Sequence, residues 1–175
     1  MSGPLSFDPI AEAHRQWRGR WPEQAEQMAA VTSVMRVQQL LLAEIERVLR
    51  PCGLSFASYE ALRLLAFTRS GELPMGKVGE RLMVHPASVT NTIDRLEQRG
   101  LVRRRASPQD RRRILAEITP DGRELVDKAT TALNEARFGL GALDREDAVA
   151  ISRLLRRLRA AAGDFAEGTH DPWSS

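Results

Sequence analysis

A mainly α-helical fold with a small β-hairpin is predicted by three observations. The first is helical periodicity on both flanks of the chain. The second is a short helix, tight turn and second helix between Gly76 and Gly100. The third is the pair of strand-like runs LVRRR and RILAEIT around the loop ASPQDRR. A helix pair followed by a hairpin is the order of a winged helix-turn-helix domain, here 56–118. The flanking helices, 23–55 and 119–163, then form a helical region drawn from both ends of the chain.

The elements justify themselves in order. Residues 1–22 are an extension in which Pro9 to Trp21 has the makings of a short helix, with Trp17 and Trp21 as packing groups. From about Glu23 to Arg50, Met28, Val31, Met35, Leu42, Ile45 and Leu49 recur at helical steps, with Val34, Leu41 and Val48 beside them. That apolar face is wider than one neighbour needs, which points to contact with the chain's own core and with a second chain. Pro51-Cys52-Gly53 ends the helix, and Ser58 to Thr68 forms the next. The helical MGKVGERL, the turn at Met83-Val84 and the helix opening at Pro86 follow.

After the hairpin, Thr119 is placed as an N-cap with Pro120 in the first turn. Leu125, Ala129, Ala132, Leu133 and Ala136 line that helix, and Gly139 and Gly141 break it. Asp144 caps the last helix, with Asp147 completing a variant capping box; Ala148, Ile151, Leu155, Leu158 and Ala162 form its stripe. Residues 164–175 are expected to be a mobile tail. A small winged core cannot cover both terminal stripes, so helices of two copies interleaving is the expectation.

Charge is concentrated where the motif lies. Between Gly76 and Arg113 there are ten basic and four acidic side chains, although the whole chain carries only +3. A cationic hairpin beside a two-helix unit suits double-stranded DNA, whose phosphates supply most of the affinity. In the second helix Val89, Ile93 and Leu96 share one side and turn inward, which leaves Ala87, Asn91 and Gln98 opposite. Ser88, Thr90 and Asn91 are therefore the candidates for base edges in the major groove, and Arg95, one turn on, for a phosphate. Asp94 on this face requires a basic partner that the sequence does not identify. In the hairpin Arg103 lies on the first strand and Arg111, Arg112 and Arg113 at or just past the tip, where a guanidinium suits a narrow minor groove.

Other chemistries find little support. No apolar run approaches the length of a membrane span, and the N-terminus lacks a basic start followed by an apolar stretch. His14, His85 and His170 lack metal-ligand spacing, so neither metal nor cofactor is expected. The single cysteine, Cys52, excludes an intrachain disulfide and suits a reducing cytoplasm. No recognisable base accompanies it, so an enzyme is not expected. A redox switch through Cys52 is kept as the alternative mode of regulation.

The texts SVTNTIDRLEQRGLVRR, DRRR and LAEITPDG, within a span of roughly Met28 to Ala162, resemble the MarR family of bacterial transcription regulators. The resemblance implies an obligate homodimer with a helical dimerisation region and two winged lobes. It implies repression from a pseudo-palindromic operator and, in many members, release by a small aromatic or phenolic effector. Through the Asp-x-Arg pattern at Asp110, the family's minor-groove arginine falls on Arg112. No motif marks an effector pocket.

Overall fold

The computed structural model describes residues 3–108, 110, 112–166 and 168–173. Helix α1 (Pro9–Arg20) begins at Asp8, whose carboxylate accepts from the Ile10 and Ala11 amides. A turn at Trp21 and Pro22 reverses the chain into α2 (Ala25–Leu49), against which α1 packs. Trp17 and Trp21 lie 4.8 Å apart, ring centre to ring centre. Gly53 takes the left-handed conformation after α2, and Ser55 caps α3 (Phe56–Phe67).

The sheet has three strands, one more than the sequence suggests. β1 (Glu72–Pro74) pairs antiparallel with β3 (Ile114–Ile118), and β3 pairs with β2 (Val102–Ala106), in the order β1-β3-β2. β1 escapes notice because it is three residues long and ends in proline, which an edge position tolerates. Between β1 and β2 lie α4 (Met75–Leu82) and α5 (Pro86–Gln98). Met83 ends α4 at φ 51°, and the Val84 amide returns to the Gly79 carbonyl at 3.2 Å. Gly79 lets the helices approach: a Cβ there would sit 3.2 Å from the Val89 side chain.

Helix α6 (Pro120–Glu135) starts as the sequence predicts. Thr119 Oγ1 accepts from the Gly122 amide at 3.0 Å, and also donates to the Gly100 carbonyl at 2.8 Å. One residue thus caps α6 and ties it to the end of α5. Arg63 joins α3 to α6, donating to the Val126 carbonyl and to Asp127, both at 2.8 Å. Helix α7 (Arg145–Ala161) opens on the reciprocal Asp144–Asp147 box.

Leu49, Leu62, Leu65, Val78, Ile93, Leu96, Val102, Val126 and Leu133 are fully buried, so the core lies where α3, α5, the sheet and α6 meet the last turns of α2. The long apolar face of α2 divides. Ile45 and Leu49 enter this core, whereas Val31, Val34, Met35 and Leu40 are exposed. No residue of α7 is buried, and Ile151, Leu154, Leu155 and Leu158 face outward. The segment after Gly163, expected to be a mobile tail, turns back along α7. Arg153 donates to the Trp173 carbonyl and Arg156 to that of Thr169, at 2.7 and 2.6 Å, and Arg156 stacks over Phe165 at 4.4 Å.

Gly122 is the tightest point of the fold. A Cβ there would lie 2.2 Å from the Leu101 carbonyl oxygen and 2.9 Å from Ile118 Cγ1. Alanine favours a helix by roughly 1 kcal/mol over glycine, but overpacking against backbone costs about 1–3 kcal/mol. Because the added methyl requires α6 to move, Gly122→Ala should show a net loss of up to about 2 kcal/mol, read as a lower urea midpoint at fixed protein concentration and unchanged slope. A midpoint at or above that of the wild type would show that α6 shifts without cost.

Candidate nucleic-acid interface

Helix α5 supplies the outward face because its inner face is committed. Val89, Ile93 and Leu96 are buried, and Ala87, Ser88, Thr90, Asn91, Arg95 and Gln98 are exposed, as the helical spacing requires. His85 caps the helix, its Nδ1 accepting from the Ala87 amide at 3.2 Å. Thr90 Oγ1 donates to the Pro86 carbonyl at 3.1 Å, which leaves its oxygen able to accept from an outside donor. Among the described residues, neither the Asn91 amide nor the Arg95 guanidinium has a hydrogen-bonding partner.

The hairpin closes one side of a groove of about 780 Å³ whose walls include Lys77, Thr90, Asp94, Arg104, Arg112 and Arg113. Thr90 therefore shares a cleft with Arg112 and Arg113. Ser88 does not: it lies on the other flank of α5, beside a crevice of about 50 Å³ that it lines with Glu60, Val84 and Thr92. Burial pushes the Glu60 carboxyl above its ordinary range. Arg111 lies outside the described residues.

The arginines divide into those with acidic partners and those without. Arg103 forms a two-pronged pair with Glu117, at 3.0 and 2.7 Å, and this hydrogen bonding holds the Glu117 carboxyl below its usual range. Arg105, on the same face, binds Glu72 at 2.9 Å and Glu117 at 3.1 Å. The register explains the cluster: Glu72 and Arg103 both stand opposite Glu117, from either side of the central strand. Arg104 points to the other face and pairs with Asp94 at 2.5 Å and Glu97 at 2.7 Å. This is the partner that Asp94 requires.

At the tip, Asp110 organises the turn. Its Oδ1 accepts from the Arg112 amide at 3.0 Å and its Oδ2 lies 3.3 Å from Arg113 Nε. Asp110 thus engages the Arg113 side chain but only the backbone of Arg112, whose exposed guanidinium has no partner among the described residues. Arg99, which sequence reasoning passed over, anchors the end of α5 by donating to the Gly53 and Cys52 carbonyls at 2.6 and 3.1 Å. Its role depends on residues some 46 positions away in the chain, so no local pattern reveals it. Cys52 itself is 9% exposed and packs in the core, where a thiol is shielded from oxidants.

Such a surface can hold a polyanion along the groove while presenting an amide, a hydroxyl and a guanidinium to base edges. Residues 54–114 match the model of the MarR family. The HTH-type transcriptional regulator YhbI of Bacillus subtilis is 35% identical over 124 residues, 71% of this chain and 77% of the relative. Sco5413, a MarR family transcriptional regulator from Streptomyces coelicolor, is 58% identical, with a TM-score of 0.75 over 81% of this chain and 99% of its own. CouR from Rhodococcus jostii RHA1, solved bound to p-coumaroyl-CoA, is 27% identical, with a TM-score of 0.60 over 79% of this chain and 92% of its own. The helix pair, the wing and these relatives lead to one conclusion: the chain belongs to the MarR family of DNA-binding transcription regulators, which are not enzymes.

Proposed function

We propose that the protein is a homodimeric repressor that reads a pseudo-palindromic operator in the cytoplasm and leaves it when a small aromatic or phenolic effector binds. The observation that carries this reading is the pair of uncovered apolar faces on α2 and α7. In a single chain Leu40 is 63% exposed, Leu154 59% and Leu158 64%. Fully burying a side chain of this kind contributes about 1.5–3 kcal/mol, so a second copy seated across both faces gains much and costs the winged lobe nothing. Two-fold pairing places two α5 helices for successive major grooves, about one turn of duplex apart.

On that duplex, Thr90 and Asn91 take base edges in the major groove, with Ser88 at its margin. Arg95 takes a phosphate. Arg112 enters the minor groove, and Arg111 and Arg113 hold the adjoining backbone. Arg103 reaches DNA only by giving up Glu117, so its contribution is charge rather than contact. The effector is supported by CouR, which binds an aromatic acyl-CoA on the same fold.

Selection of duplexes from a random pool, followed by gel shifts on the winner, tests the reading; a winner without two-fold symmetry contradicts it. Leu154→Glu should convert the protein from twice to once the chain mass in light scattering and abolish binding to the selected duplex. Because Leu154 is exposed in the single chain, a variant that stays paired contradicts the proposed interface. Arg112→Ala should weaken binding to the selected duplex by about 1–3 kcal/mol, and leave binding to a scrambled one nearly intact. Arg95→Ala should weaken both alike and lower the salt slope by about one.

A further inference from the structure

We propose that Arg104 is a positioning residue for sequence recognition: it touches no DNA, and it sets the angle between α5 and the wing. The inference rests on the operator reading above. Arg104 Nη1 meets Asp94 Oδ1 at 2.5 Å and Glu97 Oε2 at 2.7 Å, and Nη2 meets the Thr90 carbonyl at 3.3 Å. The Arg104 amide donates to Glu97 Oε1 at 2.9 Å. The side chain is three-quarters buried.

The three positions gripped on α5 are spaced by four and three residues, so they form one stripe along the helix. That stripe runs beside the buried Val89, Ile93 and Leu96, not over them. The apolar seam fixes α5 against α3, while Arg104 fixes it against the hairpin. Arg103 and Arg105 cannot share this task, because strand alternation sends them to the opposite face, to Glu117 and Glu72. A single guanidinium thus links the helix that carries Thr90 and Asn91 to the strand that leads out to Arg112.

Reading two grooves at once requires both sets of side chains in register before the duplex arrives. A planar fork meets two carboxylates and a carbonyl together; an ammonium at the same place is a point charge that satisfies fewer of them. Exposed ion pairs contribute little, but this one is partly buried and shared among three acceptors, so its loss frees the wing. Arg104 also neutralises Asp94, a carboxylate on the groove wall that would otherwise repel phosphate.

The test uses the full chain as wild type, Arg104→Met and Arg104→Lys, with the duplex that the wild type selects and a scrambled duplex, across a salt series. Arg104→Met should lose about tenfold of its preference for the selected duplex, read as the ratio of the two affinities, in which the repulsion from the unmasked Asp94 weakens both duplexes alike and cancels. Hydroxyl-radical protection under the wing should fade, and methylation protection of guanine N7 under α5 should persist. Arg104→Lys should recover part of the preference. An unchanged preference in Arg104→Met overturns the proposal. So does a salt slope lower by about one with both duplexes weakened equally, which is the signature of a phosphate contact. If Arg104→Met melts early, the double variant Asp94→Asn, Glu97→Gln removes the tie from the helix side and must show the same lost preference, or the inference fails. A wild type that enriches no sequence overturns the operator reading and this inference with it. A wild type that enriches one while Arg104→Met keeps full preference overturns the inference alone.

Discussion

Burial of Val89, Ile93 and Leu96 is the constraint on which the rest of the molecule depends. Once these three side chains are taken into the core, the rotation of α5 about its axis is decided, and with it the identity of every side chain that looks outward. The surrounding structure protects that choice. Gly79 allows α4 to close on Val89, Arg99 holds the far end of α5 to the corner at Gly53, and Thr119 links that same end to the start of α6. The two hydrogen-bonded ties, from Arg99 and Thr119, end on backbone carbonyls, which cannot swing away as a long side chain would.

Electrostatics in the basic segment is more economical than its composition suggests. Three consecutive arginines on β2 face alternate sides of the sheet, and all three meet carboxylates supplied by β1, β3 and α5. Their charges raise the local potential, but each guanidinium is already paired with a carboxylate. Among the described residues of this segment, the guanidinium groups of Arg81, Arg95 and Arg112 have no hydrogen-bonding partner, Arg95 on the second helix and Arg112 at the wing tip. On the proposed reading, long-range attraction and short-range contact fall to different residues, which lets a surface attract DNA strongly without binding every stretch of it equally.

The uncovered faces of α2 and α7 belong to the same logic. Within one chain α7 has no core to enter, and its arginines are turned back onto the following segment, which shields the polar side and leaves the leucines facing outward. An amphipathic helix arranged this way is complete only against another apolar surface, and the middle of α2 has the matching character.

Much of this was legible in the sequence, because it follows from local rules. Helical periodicity gave the inward face of α5, Thr119 and Asp144 announced their helices through capping chemistry, and the width of the α2 stripe exceeded what one core can use. Arg112 is marked by the family resemblance, through the Asp-x-Arg pattern at Asp110, and not by a local rule. What only the tertiary structure decided were pairings between residues distant in sequence: Asp94 with Arg104, Arg103 with Glu117, Arg99 with the corner at Gly53, and the three-residue edge strand at Glu72. The physical reason is that periodicity says which way a side chain points, whereas strand register and helix docking say what it meets. A run of arginines therefore reads as uniform charge in the sequence, and folding sorts it into struts and open donors.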